Sequence, residues 1–150
     1  MAPTVAPAYR PAMVGSEGRL VYLYVGSRDV ARDLAFYRDQ LGGELAWRFR
    51  AFEADVAAVR LGDGPLVLLA DHRDSPSVLQ IWAVEDLDRA VTWLEAAGWQ
   101  GGHRRVEVPD GPCLLMSDPS GNEIALLEQV RPAALDKSWR DPENPRAVRE

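Results

Sequence analysis

The chain repeats one order of apolar and polar segments. Residues about 20–71 and about 78–128 each show a short apolar run, an amphipathic stretch and three further short apolar runs. Short apolar or alternating runs are typical of strands, and apolar residues at i, i+3, i+4 and i+7 are typical of a helix on a sheet. Each copy therefore predicts one strand, then one helix, then three further strands. The copies lie on the order of 55–60 residues apart, farther than solenoid repeats, and predict a pseudo-symmetric domain with a cleft between two curved half-sheets.

Both predicted helices have recognisable ends. Asp29 and Asp86 stand at N-cap positions, where a short acceptor side chain can bind the free N–H groups of the first turn. Gly42-Gly43 and Gly98 stand where a left-handed residue commonly ends a helix. Each helix carries one apolar stripe, so we expect each to pack on one face of its half-sheet.

Alternation along the strands assigns side chains to the two faces of the sheet. On the first strand one set is expected to face the helix: Val21, Leu23 and Val25. The opposite set then points toward the cleft: Leu20, Tyr22 and Tyr24. In the second copy, Trp82 and Val84 are expected under the helix. This leaves Leu79, Ile81 and Ala83 toward the cleft.

The strand after the first helix carries aromatic residues on one face. Trp47 and Phe49 share that face, and Arg48 and Arg50 share the other. The sequence leaves open which of the two faces meets the cleft. Aromatic rings beside an apolar floor suit a planar organic molecule by stacking. The alternative is that these residues fill the groove or pack a dimer interface.

Both ends of the chain have the composition of tails. Residues 1–18 are rich in proline and alanine, and residues 130–150 are polar and interrupted by prolines. Such segments bury too little apolar surface to offset their ordering entropy. We therefore expect a flexible N-terminal tail, a single domain over 19–129 and a polar C-terminal tail. Trp139 is an exception, because an aromatic residue in a polar tail often anchors it to a groove or a partner subunit.

Composition narrows the class of protein. The formal net charge of −6 argues against nucleic-acid binding, which needs clustered Lys and Arg. No apolar run approaches the roughly 20 residues of a membrane helix, and the N-terminus lacks the pattern of a secretory signal. The single cysteine, Cys113, forbids an intrachain disulfide and fits a reducing compartment. We expect a cytoplasmic protein with no nucleic-acid or membrane partner.

Two segments, together with the repeat, resemble a known family. Residues 33–45 (DLAFYRDQLGGEL) end the first helix, and residues 117–128 (SDPSGNEIALLE) place a turn before the last strand. The chain is similar in these features to the vicinal oxygen chelate superfamily, which includes glyoxalase I, extradiol dioxygenases, fosfomycin-modifying enzymes and bleomycin-resistance proteins. The resemblance covers about residues 19–129. It implies an α+β fold, in which two tandem βαβββ modules form a curved mixed sheet around a cleft with helices on the outer face, and a homodimer.

The resemblance also implies where a metal would bind. Enzymes of this family hold a divalent metal with His, Gln or Glu from the first and last strands of each module, because polarising a substrate oxygen needs several converging donors. The equivalent positions here are apolar or aromatic: Leu20 or Tyr22, Val67, Leu79 and Ala125. We therefore expect no metal and no other cofactor, with Val67 and Ala125 forming part of an apolar cleft floor.

The remaining ionisable residues do not replace the missing donors. His72 and His103 lie in polar segments and are expected at the surface. Glu123 shares the parity of Ala125 and is expected near the mouth of the cleft. There it would bind a cationic group, act as a base or be an ordinary rim residue.

These observations predict a metal-free small-molecule binder that resembles the bleomycin-resistance proteins and sequesters an aromatic or amphipathic compound without transforming it. The predicted ligand-binding residues are Leu20, Tyr22, Tyr24, Trp47, Val67, Leu79, Ile81, Ala125 and Glu123. The alternative is a superfamily enzyme, such as a lyase, isomerase or dioxygenase, that uses a metal through other residues or acid–base chemistry through Glu123, Tyr22 or Tyr24. A third possibility is a regulatory module whose groove binds a partner or its own tail.

Overall fold

A computed structural model of the chain describes residues 14–101 and 104–149. The expectations for residues 1–13 and for His103 lie outside the described residues. The strands are β1 (Arg19–Gly26), β2 (Glu44–Ala51), β3 (Ala54–Arg60), β4 (Leu66–Ala70), β5 (Val78–Val84), β6 (Arg104–Val108), β7 (Gly111–Ser117) and β8 (Glu123–Glu128). The helices are α1 (Val14–Glu17), α2 (Val30–Ala35, continued by a π-helical turn over Phe36–Gln40), α3 (Leu87–Ala96) and α4 (Ala134–Arg140).

The strands form one curved, unclosed sheet of eight strands in the order β2-β3-β4-β1-β5-β8-β7-β6. Within each module the first and last strands are parallel neighbours, β1 with β4 and β5 with β8, and the other pairings are antiparallel. The predicted α+β fold of two βαβββ modules is confirmed. The modules pair within one chain, through the antiparallel contact of β1 with β5.

The predicted helix ends are also present. The carboxylates of Asp29 and Asp86 each accept a hydrogen bond, at 3.0 Å, from the backbone N–H three residues on. Gly98 has the positive φ that ends α3. Both helices lie on the outer face, where each has its own buried cluster against the sheet. The α2 cluster includes Leu34, and the α3 cluster includes Leu87.

A β-bulge in β1 alters the faces assigned by simple alternation. Leu20 lies opposite Trp82 and Tyr22 lies opposite Ile81, so that Val21 is an extra residue in β1. Val21 consequently packs with Ile81 and Tyr22 on the cleft side, although strict alternation had assigned it to the helix. Leu20 pairs instead with Trp82, which belongs to the α3 cluster. The prediction that Leu20 lines the cleft floor is therefore wrong.

Val67 was also assigned to the wrong face. It lies opposite Leu23 in the parallel pairing of β1 with β4 and packs into the α2 cluster beside Val30 and Leu34. Its neighbour Leu68 occupies the cleft side instead. A shift of one residue in register exchanges the two faces of a strand, and the internal repeat aligned this strand one residue away from its true register.

The C-terminal segment is ordered, unlike the polar tail expected from its composition. Helix α4 places Leu135 and Trp139 against a cluster that contains Trp47 and Phe49. Beyond α4 the chain pairs with the outer edge of β2, where the N–H of Arg50 donates to the carbonyl of Arg146 and the N–H of Val148 to the carbonyl of Arg48, both at 2.8 Å. These contacts cover a sheet edge that would otherwise be exposed.

Among residues 14–101 and 104–149, no helix combines the length and the apolar character that crossing a bilayer requires.

We predict that Trp139→Ala loosens the C-terminal segment. Loss of its edge-to-face contact with Phe49, whose ring centroid lies 6.0 Å away, should lower the free energy of unfolding by about 1–2 kcal/mol. Amide hydrogen exchange should accelerate at Arg50 and Val148. Leu41→Ala, at a side chain that is 51% exposed, is the control and should change stability by less than about 0.5 kcal/mol. Unchanged exchange at both amides in Trp139→Ala would contradict this role.

Candidate functional site: the cleft

The concave face of the sheet and the C-terminal segment enclose a cavity of about 400 Å³. Its volume is within the range of small-molecule sites. Residues from both modules and from the C-terminal segment line it: Tyr22, Tyr24, Trp47, Phe49, Ala51, Val56, Leu68, Ile81, Val108, Pro109, Asp110, Cys113, Leu127, Leu135, Ser138, Asn144 and Arg146. Most of these side chains are aliphatic or aromatic. The cavity is therefore an apolar chamber with a few polar groups.

Aromatic rings form the wall contributed by β2. Trp47 and Phe49 lie with their ring centroids 5.5 Å apart at an interplanar angle of 37°, and Trp139 contacts Phe49 edge to face. The side chain of Arg48 lies on the other face of β2 and forms an ion pair with Asp55. The structure thus answers the question that the sequence left open, because the aromatic face of β2 meets the cleft.

Six of the nine predicted ligand-binding residues lie on the cavity side of the central sheet. Tyr22, Tyr24, Trp47 and Ile81 line the cavity itself. Leu79 and Ala125 are buried in the cluster that underlies it. Leu20 and Val67 lie on the helix side, as described above, and Glu123 lies at the rim. Their roles in ligand binding stay predictions.

The rim near Glu123 is a polar cluster outside the cavity. The carboxylate of Glu123, half exposed, pairs with the guanidinium of Arg73, which lies 5.5 Å from the centroid of the Tyr24 ring. His72 is exposed, as expected, and its Nε2 lies 2.9 Å from the hydroxyl of Tyr24. Glu123 is therefore engaged in an ion pair at the edge of the sheet.

A buried carboxylate that the sequence did not predict, Asp110, also lines the cavity. Asp110 is only 3% exposed. Its Oδ2 accepts hydrogen bonds from the hydroxyl of Tyr22 at 2.7 Å and from Nε2 of Gln129 at 3.1 Å. Its Oδ1 is buried and has no hydrogen-bond partner among the described residues. The arrangement places a carboxylate and a phenol side by side at one end of an apolar chamber.

The turn that carries Asp110 is fixed by the residues after β8. The N–H of Arg131 donates to the carbonyl of Asp110 at 2.8 Å, and its Nε donates to the carbonyl of Pro109 at 2.9 Å. Gly111 has a φ of 153°, and a Cβ there would lie 2.1 Å from the carbonyl oxygen of Glu128. Only glycine lets the turn approach β8 this closely.

A sequence signal for this turn existed. Val108-Pro109-Asp110-Gly111 has the residue types of a tight turn between two strands, because proline presets φ and glycine accepts unusual backbone geometry. The pattern locates a hairpin between β6 and β7. It does not indicate that the carboxylate turns inward to meet Tyr22, since that depends on how the hairpin packs against β1 and β8.

Burial shapes the titration of the groups that line the cavity. Desolvation, followed by the hydrogen bond to Asp110, raises the pKa of Tyr22 far above its ordinary value. Desolvation also raises the pKa of Tyr24, and the charge of Arg73 partly offsets it. Burial raises the pKa of the Cys113 thiol to about 11. At neutral pH both phenols are protonated and the thiol is not a thiolate nucleophile.

Comparison with known proteins identifies the family. The model of the Glyoxalase/Bleomycin resistance protein/Dioxygenase superfamily matches residues 19–126. The chain belongs to this superfamily. No curated protein sequence matches the chain.

Solved structures share the fold of the superfamily. Methylmalonyl-CoA epimerase from Mycobacterium tuberculosis is 17% identical with a TM-score of 0.61, over 73% of this chain and 87% of that one. A superfamily member from Vibrio splendidus 12B01 is 18% identical with a TM-score of 0.54, over 75% and 99%. An extradiol ring-cleaving dioxygenase from B. fuscum is 21% identical with a TM-score of 0.55, over 74% of this chain but 32% of that one. At these identities the likeness shows the fold alone.

The cleft residues do not fit the divalent metal that enzymes of the superfamily hold. The cavity side of the first and last strands carries Tyr22 on β1, Leu68 on β4, Ile81 on β5 and Ala125 on β8. Aliphatic side chains offer no donor atom, and a metal site needs three or four converging N, O or S ligands. Within the described part of the chain, no three His, Cys, Asp or Glu side chains are grouped to hold an ion.

We predict that untagged, purified protein carries well below one equivalent of zinc, iron, nickel or manganese per chain, because the cleft offers too few donor atoms. Elemental analysis by inductively coupled plasma mass spectrometry makes this measurement. Protein from cells grown with added metal salts serves as the control for metal supply. One stoichiometric equivalent that survives gel filtration would contradict the prediction and require ligands beyond those described.

We predict that Tyr22→Phe lowers the free energy of unfolding by about 1–2 kcal/mol at pH 7, because Asp110 loses a hydrogen-bond donor. The pKa of Tyr22 is higher in the folded protein than in the unfolded chain. The stability that the Tyr22 hydroxyl contributes is therefore fully present below pH 10.0, the ordinary pKa of the group, and declines as the pH rises above it. Denaturant unfolding at pH 7 and near pH 10.5 should show the difference between wild type and variant shrinking. Tyr37→Phe, on the helix side, is the control. An equal difference at both pH values would refute the assignment.

Proposed function

We propose that this superfamily member is a metal-free small-molecule binding protein of the bleomycin-resistance type, which holds an apolar or aromatic compound in its cleft without transforming it. The observation that carries the proposal is the cavity of about 400 Å³ with walls of Tyr22, Tyr24, Trp47 and Phe49. A chamber of this size with few polar groups is typical of sites that bind small organic molecules.

The geometry of the aromatic wall supports a flat ligand. Trp47 is only 2% exposed and packs with Ala58 and Leu68, so it supports the wall from within, and the half-buried Phe49 presents more of its ring to the cavity. A ring that is already fixed loses little conformational entropy when a ligand stacks on it. The ring of Phe49 lies at 37° to that of Trp47, and Trp139 contacts Phe49 edge to face. A planar molecule between this wall and the Tyr22–Tyr24 side would therefore make offset-stacked or edge contacts with preformed surfaces.

The absence of metal donors at the cleft positions supports binding rather than metal-assisted catalysis. Sequestration requires affinity and shape but no reactive group. The free thiol of Cys113 is buried, which agrees with a reducing cytoplasm as the working compartment. Homodimer formation, expected from the resemblance to this superfamily, remains part of the proposal.

An enzyme is the second candidate, and the pairing of Tyr22 with Asp110 is the observation that favours it. A phenol 2.7 Å from a buried carboxylate is an arrangement that can move a proton to or from a bound substrate. Solved structures with the same fold include an epimerase and a dioxygenase. In this case the cavity would bind a substrate, and the pair would act on a group placed beside it.

We predict saturable quenching of tryptophan fluorescence when planar aromatic compounds such as 2-naphthalenemethanol are titrated into the protein, because Trp47 forms part of the wall. Tyr24→Ala and Phe49→Ala should each weaken binding by about 1 kcal/mol, roughly fivefold, for a lost aromatic contact. Phe36→Ala, outside the cavity, should bind as wild type does.

The same mixtures distinguish the two candidates. Mass spectrometry of the compound recovered after incubation should show it unchanged if the protein only binds. A product whose formation stops in Tyr22→Phe would favour the enzyme. Failure of every aromatic compound to bind, with intact folding by circular dichroism, would overturn the proposal.

A further inference from the structure

The buried carboxylate of Asp110 gives the cavity a negatively charged inner end. Oδ2 accepts two hydrogen bonds, from Tyr22 and Gln129, and both donors are neutral. Oδ1 is buried and unpartnered among the described residues. A buried carboxylate normally has a cation or several donors around it, because desolvating a charge is costly. Among the described residues, no cationic group donates a hydrogen bond to this carboxylate.

Neighbouring charges do not supply that group. The guanidinium of Arg131 is bound to Glu107 and to the carbonyls of Val108 and Pro109. The exposed Arg19 donates to the side-chain oxygen of Gln129 and not to Asp110. The nearby cations are therefore directed to other acceptors.

Among the described residues, one cation lines the cavity, Arg146, and its side chain is exposed. The guanidinium of Arg146 lies 4.7 Å from the ring centroid of Phe52, and Phe52 is 86% exposed. A charge held at the surface is screened by water and acts weakly over distance. The inner end of the chamber thus keeps an excess of negative charge, set in an apolar surrounding where electrostatic effects are strong.

We propose that the compound held in this cavity is a hydrophobic amine, whose protonated nitrogen lies at the Asp110 end and whose apolar or aromatic body lies along the β2 wall. This inference rests on the proposed function and names the chemical class of its ligand. The carboxylate selects a cation by its charge, and Oδ1, which has no partner among the described residues, is the acceptor available to the ammonium group.

The aromatic residues reinforce this selection. The rings of Tyr22 and Tyr24 stand on the same side of the sheet as Asp110, and an ammonium group over an aromatic face is attracted by the ring quadrupole. A ligand carboxylate at this end would instead face Asp110 without a compensating cation. The cavity should therefore prefer a cation to a neutral molecule, and a neutral molecule to an anion, when the apolar bodies are identical.

Three probes that share a naphthalene ring test the preference for a cation: 2-naphthalenemethylamine, 2-naphthalenemethanol and 2-naphthoate. Each is titrated into the protein at pH 7, and binding is followed by calorimetry and by tryptophan fluorescence. Wild-type protein should bind the amine about tenfold more tightly than the alcohol, the scale of one charge-assisted hydrogen bond, and should bind the naphthoate most weakly. This comparison needs no variant. Equal affinities for the amine and the alcohol would overturn the inference while leaving the proposed function intact, and no binding of any probe would overturn the proposed function itself.

The variant Asp110→Asn tests whether the carboxylate of Asp110 is the origin of the preference for the amine. It keeps the shape and one acceptor oxygen but removes the charge, so the amine should bind about as weakly as the alcohol, and binding of the alcohol should change little. Asp63→Asn, which removes an equal charge from an exposed turn, should retain the tenfold preference. If Asp110→Asn does not fold, the three-probe comparison on wild type decides the question. A preference that survives in folded Asp110→Asn would place its origin elsewhere and refute the assignment.

Discussion

The cleft depends on the pairing of β1 with β5. β1 is hydrogen-bonded on one side to β4 of its own module, in parallel, and on the other side to β5 of the second module, in antiparallel register. This contact joins two half-sheets into one surface whose concave face belongs to both modules. The bulge at Val21 lies within this joint and places Val21 and Tyr22 together on the cleft side. Residues of both modules therefore line one cavity.

Residues remote in sequence complete the polar end of the cavity around this joint. Tyr22 comes from β1, Asp110 from the β6–β7 hairpin and Gln129 from the chain just after β8. Gly111 permits the hairpin to approach β8, and Arg131 holds its carbonyl groups. The cleft of this superfamily member is thus an apolar chamber that contains a phenol and a carboxylate in contact. Binding selectivity in such a chamber depends on few groups, because most of its wall makes only dispersion and stacking contacts.

The C-terminal segment connects stability with the site. By pairing with the outer edge of β2 it satisfies backbone groups that would otherwise face solvent, and α4 places Leu135 and Trp139 over the aromatic wall. Ser138, Asn144 and Arg146 then close part of the chamber. The segment is polar overall, yet its few apolar residues are spaced to meet an existing aromatic surface. The segment is ordered because of tertiary packing, which cannot be predicted from its composition alone.

The sequence by itself determined the repeat, the two capped helices and the superfamily, because these depend on local periodicity, on turn residues and on motifs such as the Asp118–Asn122 turn. It also indicated correctly that Tyr22, Tyr24 and Ile81 lie on the concave side. Only the tertiary structure decided that Leu20 and Val67 lie on the helix side, because one bulge and one register step exchange the faces of a strand. The inward position of Asp110 was likewise decided by long-range packing, because its partners Tyr22 and Gln129 lie 88 and 19 residues away in the sequence. The same holds for the order of residues 130–149, because this segment pairs with β2.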